Sequence, residues 1–175
     1  MKNIFYKLTY FLLFTFFLNV NLFSNPIRVL FLGHDSEHHN SSKYYPILSQ
    51  NFGVDAIYFD YTTNLETALG DFNYLSKFDA LLIYGNHEKI EPHQWKNLNL
   101  FVKKGGGFLP IHSASWCFAN EPKYDKLVGG RFESHLDGVF SPRIIDSNHE
   151  ITKDLESFNK WDETYFHINH NKKNR

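Results

Sequence analysis

IRVLFLG, residues 27–33, is the stretch on which the fold turns. A short, β-branched, almost continuously apolar run closed by a glycine reads as a strand buried on both faces. The same signature recurs downstream. Val54–Phe59 lies between Gly53 and the polar turn 60–64, and Ala80–Tyr84 (ALLIY) is introduced by Asp79 and stopped by Gly85-Asn86. Phe108–Ile111 is a fourth, shorter run, followed at once by His112. Helical patterns alternate with these strands. One is expected from a cap at Ser41 or Ser42 to about Gln50, with Pro46 in its first turn. The other starts with Pro92 in its first turn and reaches about Lys104. It carries Trp95, Leu98, Phe101 and Val102 at helical spacing and ends at Gly105-Gly106-Gly107.

Apolar strands alternating with amphipathic helices predict an α/β domain whose mostly parallel central sheet is covered on both faces, a three-layer sandwich. In such sheets the ligand crevice lies outside the carboxyl ends of the strands. The segments that follow the first, third and fourth strands carry His34–His39, Asn86-His87 and His112-Ser113, so three polar clusters are expected on one rim. Beyond residue 115 the pattern loosens. Pro122–Val128 reads as a short helix closed by Gly129-Gly130, Val139–Asp146 as an edge strand because it contains Pro142, and Trp161–Ile168 as an alternating strand. The chain closes on a hydrophilic run, residues 170–175, so the domain spanning 25–175 is expected to be incomplete at its C-terminus.

Residues 1–24 read as a signal peptide. Lys2 and Lys7 precede the apolar run Tyr10–Leu18, broken only by Thr15, and cleavage is expected near Ser24. The run is too short to span a bilayer, so export to the periplasm or exterior is expected, with no stable membrane span. The formal net charge of −1, and the lack of a Lys/Arg cluster before residues 172–175, exclude a nucleic-acid surface. The single cysteine, Cys117, cannot form an internal bridge.

Among 175 residues there are ten histidines, and they carry the chemical expectation. Imidazole can transfer protons near neutrality or ligate borderline metals, and a carboxylate can orient it or complete a metal site. His112 and His135 are assigned proton transfer and Glu163 the role of base or ligand. His38, His39, Asn86, His87 and Trp116 are assigned substrate binding, Trp116 by offering a flat apolar face to a sugar ring. His39, His87, His112 and Glu163 form a candidate set for a divalent metal such as zinc, although no short ligand-spacing motif marks them. Structural readings compete at several positions: His38-His39 as solvated loop, His112 as a backbone-bonded residue after a buried strand, His93 as surface, His149 as a turn-closing residue and Trp95 as core. The three glycines at 105–107 end a helix and precede a strand, the reverse of the order that cradles nucleotide phosphates.

The succession LLIYGNHEKIEPHQ, GGGFLPIHSASWCF, PKYDKLVGGRFESH, SNHEIT and WDETYFHINHN resembles the ThuA-like (trehalose utilisation) family, and most of all its exported branch that heads multidomain dehydrogenase-like proteins. The resemblance runs from about Ile27 to the C-terminus. It implies a flavodoxin-like sheet related to class I glutamine amidotransferases, a role in sugar utilisation, a small-molecule sugar as ligand, and a dehydrogenase-like or cytochrome-like partner domain. In the amidotransferases a nucleophilic cysteine occupies the sharp turn after the fourth strand. Here that position is His112, and imidazole cannot replace a thiolate in their acyl-enzyme chemistry, so glutaminase activity is not expected. Two functions follow: sugar hydrolysis, isomerisation or assistance to sugar oxidation at a His-rich rim, or a non-catalytic carbohydrate-binding or docking module for a dehydrogenase-like partner.

Overall fold

The computed structural model describes residues 25–172; the expected signal peptide lies outside them. Four parallel strands form the main sheet: β1 (Ile27–Leu32), β2 (Ile57–Thr62), β3 (Ala80–Ile83) and β4 (Gly107–Pro110), in the order β2-β1-β3-β4. This is the flavodoxin-like order, in which the switch point falls between β1 and β3. β1 shows why these runs become central strands. Its side chains alternate, Leu30 and Leu32 toward one layer and Val29 and Phe31 toward the other, and all four are buried. In β3, Leu81 and Ile83 join the first layer and Leu82 the second.

The second layer is covered by α1 (Tyr45–Phe52) through Tyr45 and Leu48. The first is covered by α2 (Leu65–Leu69), α3 (Phe72–Leu75) and α4 (Pro92–Lys103), which contribute Ala68, Leu69, Leu75, Leu98 and Phe101. Trp95 packs against that cluster as the helical spacing requires. The start of α4 is fixed by Pro92 in its first turn and by Gln94, whose side-chain carbonyl accepts from the Glu91 amide at 3.0 Å.

Several sequence expectations shift. A 3-10 turn, Ser41–Lys43, precedes α1, and neither serine caps the helix. Ser41 is buried instead, and its hydroxyl staples the loop after β1 by accepting from the His34 amide at 2.8 Å and donating to the His34 carbonyl at 3.0 Å. The second strand begins three residues later than expected, because Gly53–Asp55 forms a 3-10 turn and Ala56 turns left-handed at φ 58°. The helices α2 and α3 are additions, each started by a side-chain cap: Asn64 accepting from the Thr67 amide and Asp71 from the Asn73 amide.

The expected helix at 122–128 is α5 (Pro122–Val128), closed by Gly129 at φ 103°. The expected strand Val139–Asp146 is replaced by β5 (Arg131–Phe140), a ten-residue strand that pairs antiparallel with β6 (Lys160–Ile168). Pro142 and its neighbours instead belong to an irregular segment between the two. This second, two-stranded sheet stands beside the carboxyl edge of the first and is tied to it by buried polar contacts. Arg131 reaches the carbonyls of Trp116 (3.1 Å) and Cys117 (3.4 Å) and pairs with Asp125 at 3.3 Å. Asp125 also accepts from the side chain of Asn169 at 3.0 Å. No helix among the described residues is long and apolar enough to cross a membrane.

Candidate functional site

The ends of β1, β3 and β4 deliver their loops to one mouth, and the β5–β6 hairpin forms its far wall. A cavity of about 340 Å³ lies there, lined by His38, His39, Asn86, Ser113, Trp116, Phe132, His135, Glu163 and Tyr165. The loops approach closely because of Gly85, where a side chain's Cβ would stand 2.7 Å from Cβ of His34.

His112 adjoins this cavity and lines a neighbouring apolar recess with Tyr84. It opens a 3-10 turn (His112–Trp116) directly after β4 and adopts φ 53°, a left-handed conformation that costs a non-glycine residue about 1–2 kcal/mol. Such strain persists where surrounding contacts fix it. Here the contacts are a ring of aromatics: Tyr165, His39 and Tyr84, with ring centroids 4.9, 5.3 and 5.9 Å from that of His112. The Tyr165 hydroxyl is 2.8 Å from Nδ1 of His112, and Glu163 is 3.5 Å from Nε2. Burial, reinforced by hydrogen bonding to Glu163, pushes the Tyr165 phenol upward, so it stays protonated. Its hydroxyl lies close to both ring nitrogens of His112, 2.8 Å from Nδ1 and 3.3 Å from Nε2, and so holds the imidazole beside Glu163. Glu163 is also 3.9 Å from His135 Nε2, while His135 Nδ1 is 3.2 Å from Asp137. The result is a chain Tyr165–His112–Glu163–His135–Asp137, of which Tyr165, Glu163 and His135 line the cavity and His112 and Asp137 adjoin it. His39 has its pKa lowered, first by burial and then by His112, which favours its neutral form.

Not every residue singled out by sequence reaches this cavity. His87 lies behind it, buried, with Nε2 on the Gly33 carbonyl at 2.9 Å and its ring 5.0 Å from His34 and 6.3 Å from Phe118. Burial lowers its pKa, and it acts as a brace between the loops after β1 and β3. The metal quartet His39, His87, His112 and Glu163 is therefore split. Trp116 lines the cavity, whereas Trp161 is exposed and lies apart from it. His93 pairs with Glu66 on the surface, and His149 accepts from the Ile151 amide to close a turn. Cys117 is fully buried, its thiol donates to the Gly85 carbonyl at 2.9 Å, and burial pushes its pKa up to about 12, so it is no nucleophile.

Tyr84, Phe132, Asp137 and Tyr165 join the site without having been singled out. Two had a readable signal: Asp137 and Tyr165 alternate with His135 and Glu163 on adjacent strands. Their partners become visible only through the register Asp137↔Glu163 and His135↔Tyr165.

A family model described as ThuA, trehalose utilisation, matches residues 28–175. The chain belongs to that family. Two solved structures share the fold of this ThuA domain. A ThuA-like protein from Bacteroides uniformis ATCC 8492 aligns with a TM-score of 0.71 at 17% identity over 87% of the chain. One from Parabacteroides merdae ATCC 43184 aligns with a TM-score of 0.63 at 16% identity over 81%. The ThuA chain spans 66% and 63% of those two proteins, just under two thirds of each. No curated protein matches it.

Proposed function

We propose that this ThuA domain binds a sugar or sugar derivative in the cavity at the carboxyl edge of its sheet and carries out proton-transfer chemistry on it. The observation that carries the proposal is the convergence of His39, His135, Glu163 and Tyr165 on one cavity, with His112 adjoining it in ring contact with His39 and 3.5 Å from Glu163. Its volume falls at the lower end of the range for small-molecule sites, about 300–1,000 Å³. A sugar needs hydroxyl partners and flat apolar faces. Asn86, His38 and His39 supply the first, Trp116 and Phe132 the second. His112, steadied by Tyr165, serves as acid toward a sugar oxygen. Glu163 lies between two imidazoles and serves as the base. Hydrolysis, isomerisation and assistance to oxidation at a hydroxyl all use such a pair. Residues 1–24 supply an export signal in this proposal, and a dehydrogenase-like partner is the expected consumer of the product.

The test is turnover across a panel of sugars and sugar derivatives. Loss of turnover in Glu163→Gln with binding retained supports an enzyme. Sugar binding by the wild type with no turnover on any member of the panel refutes it and leaves a docking module that presents sugar to its partner.

A further inference from the structure

Asp137 and Glu163 face each other directly across the β5–β6 hairpin, a position in which like charges repel. No lysine or arginine lines the adjoining cavity. Among the described residues, the ion-pair partners of both carboxylates are imidazoles alone: His135 for Asp137, and His135 and His112 for Glu163. One donor atom from each of His135, Asp137 and Glu163 lies within 4.8 Å of the other two. A second observation points to the same place. Oδ1 of Asn86 and Nδ1 of His39, both on the cavity wall, are buried atoms with no hydrogen-bond partner. Buried polar atoms are rarely left so unless something else satisfies them.

We propose that His135, Asp137 and Glu163 hold a divalent cation of the zinc type, with His112 as the adjoining imidazole. The donor set suits such an ion, because one neutral imidazole and two carboxylates match the mixed N/O preference of a borderline metal. Ligands about 2.0–2.2 Å from zinc stand roughly 3.3–3.6 Å apart. The three donor atoms, one from each residue, already lie within 4.8 Å of one another, so side-chain shifts of about 1 Å bring them to that spacing. The ligands come from alternate positions of one strand and the facing position of its partner, so the backbone already aims them together. Three protein ligands leave a coordination position open toward the cavity, where the unpartnered atoms of Asn86 and His39 can bind a metal-bound water or a sugar hydroxyl. The inference rests on the cavity being a functional site, but it is measured without any sugar.

The experiment is calorimetric titration of the metal-free chain with Zn²⁺. One saturable site at a 1:1 ratio is expected, not displaced by Mg²⁺. Asp137→Asn and His135→Gln are each expected to weaken it at least ten-fold, while His149→Ala, at an exposed imidazole outside the cavity, leaves it unchanged. Circular dichroism confirms that each variant is folded; should His135→Gln fail to fold, Asp137→Asn at a half-exposed carboxylate decides. No saturable site, wild-type affinity in Asp137→Asn, or equal weakening in His149→Ala overturns the proposal. Sugar turnover without zinc binding would refute the cation and spare the acid–base chemistry. Zinc binding without turnover would do the reverse.

Discussion

Asp125→Ala tests how the hairpin is held against the sheet. Asp125 is 6% exposed, pairs with Arg131 at 3.3 Å and accepts from Asn169 at 3.0 Å. Arg131 opens β5 and Asn169 follows β6, so this one carboxylate grips both strands that carry His135, Glu163 and Tyr165. Removing one partner of a buried ion pair costs about 3–5 kcal/mol, because the other charge is left buried and uncompensated. Arg131 keeps its carbonyl acceptors on Trp116 and Cys117, and its side chain retains 19% exposure. Both facts place the loss at the lower end, about 3 kcal/mol. For a chain of this size, with about 2–4 °C lost per kcal/mol, the melting temperature should fall by about 10 °C. The assay is thermal and urea unfolding followed by circular dichroism, with Arg131→Met and the double variant completing a cycle. The double variant should be more stable than Asp125→Ala alone, since it no longer buries a lone guanidinium. A loss below about 1 kcal/mol for Asp125→Ala, the range of an exposed pair, or strict additivity in the cycle, would refute the clamp.

Other expectations follow from single groups. Tyr165→Phe removes the hydroxyl that fixes His112 and should lower kcat about five-fold with KM little changed, the equivalent of one hydrogen bond of about 1 kcal/mol; an unchanged kcat would show that Tyr165 does not position the imidazole. Cys117 should stay unmodified by thiol reagents in the native protein at pH 8 and react once unfolded, and Cys117→Ala should keep full activity; rapid native labelling would contradict its burial. His87 has its pKa lowered by folding, so the unfolded chain binds the proton more readily and stability falls as pH drops below the unfolded value near 6.5. His87→Phe should flatten that acid loss of melting temperature between about pH 6.5 and 5, and an unchanged slope would assign it to other groups.

Much of the fold was legible because β1 and β3 are apolar on both faces, a pattern with few alternatives. Their lengths and the helix from Pro92 follow from local chemistry alone. What escaped was governed by tertiary context. Leu65–Leu69 and Phe72–Leu75 are too short for periodicity to register, although Asn64 and Asp71 carry ordinary cap chemistry. Arg131–Phe140 interleaves charged and apolar residues and becomes a strand only by pairing with Lys160–Ile168. At the site, the rule for parallel sheets brought His39 and His112 together in advance. It could not distinguish His87, whose Nε2 is taken by the Gly33 carbonyl, from the residues that face the cavity. Asp137 escaped for a further reason: an aspartate on a strand has no mark of its own until the residue opposite it is known.

Histidine ring resonances followed by NMR during a sugar titration test the shared cavity most directly. Resonances of His39, His112 and His135 should move together, with one common saturation curve, while those of His93 and His149 stay fixed. Separate curves for the three, or shifts confined to His93 and His149 at saturating sugar, would contradict the account.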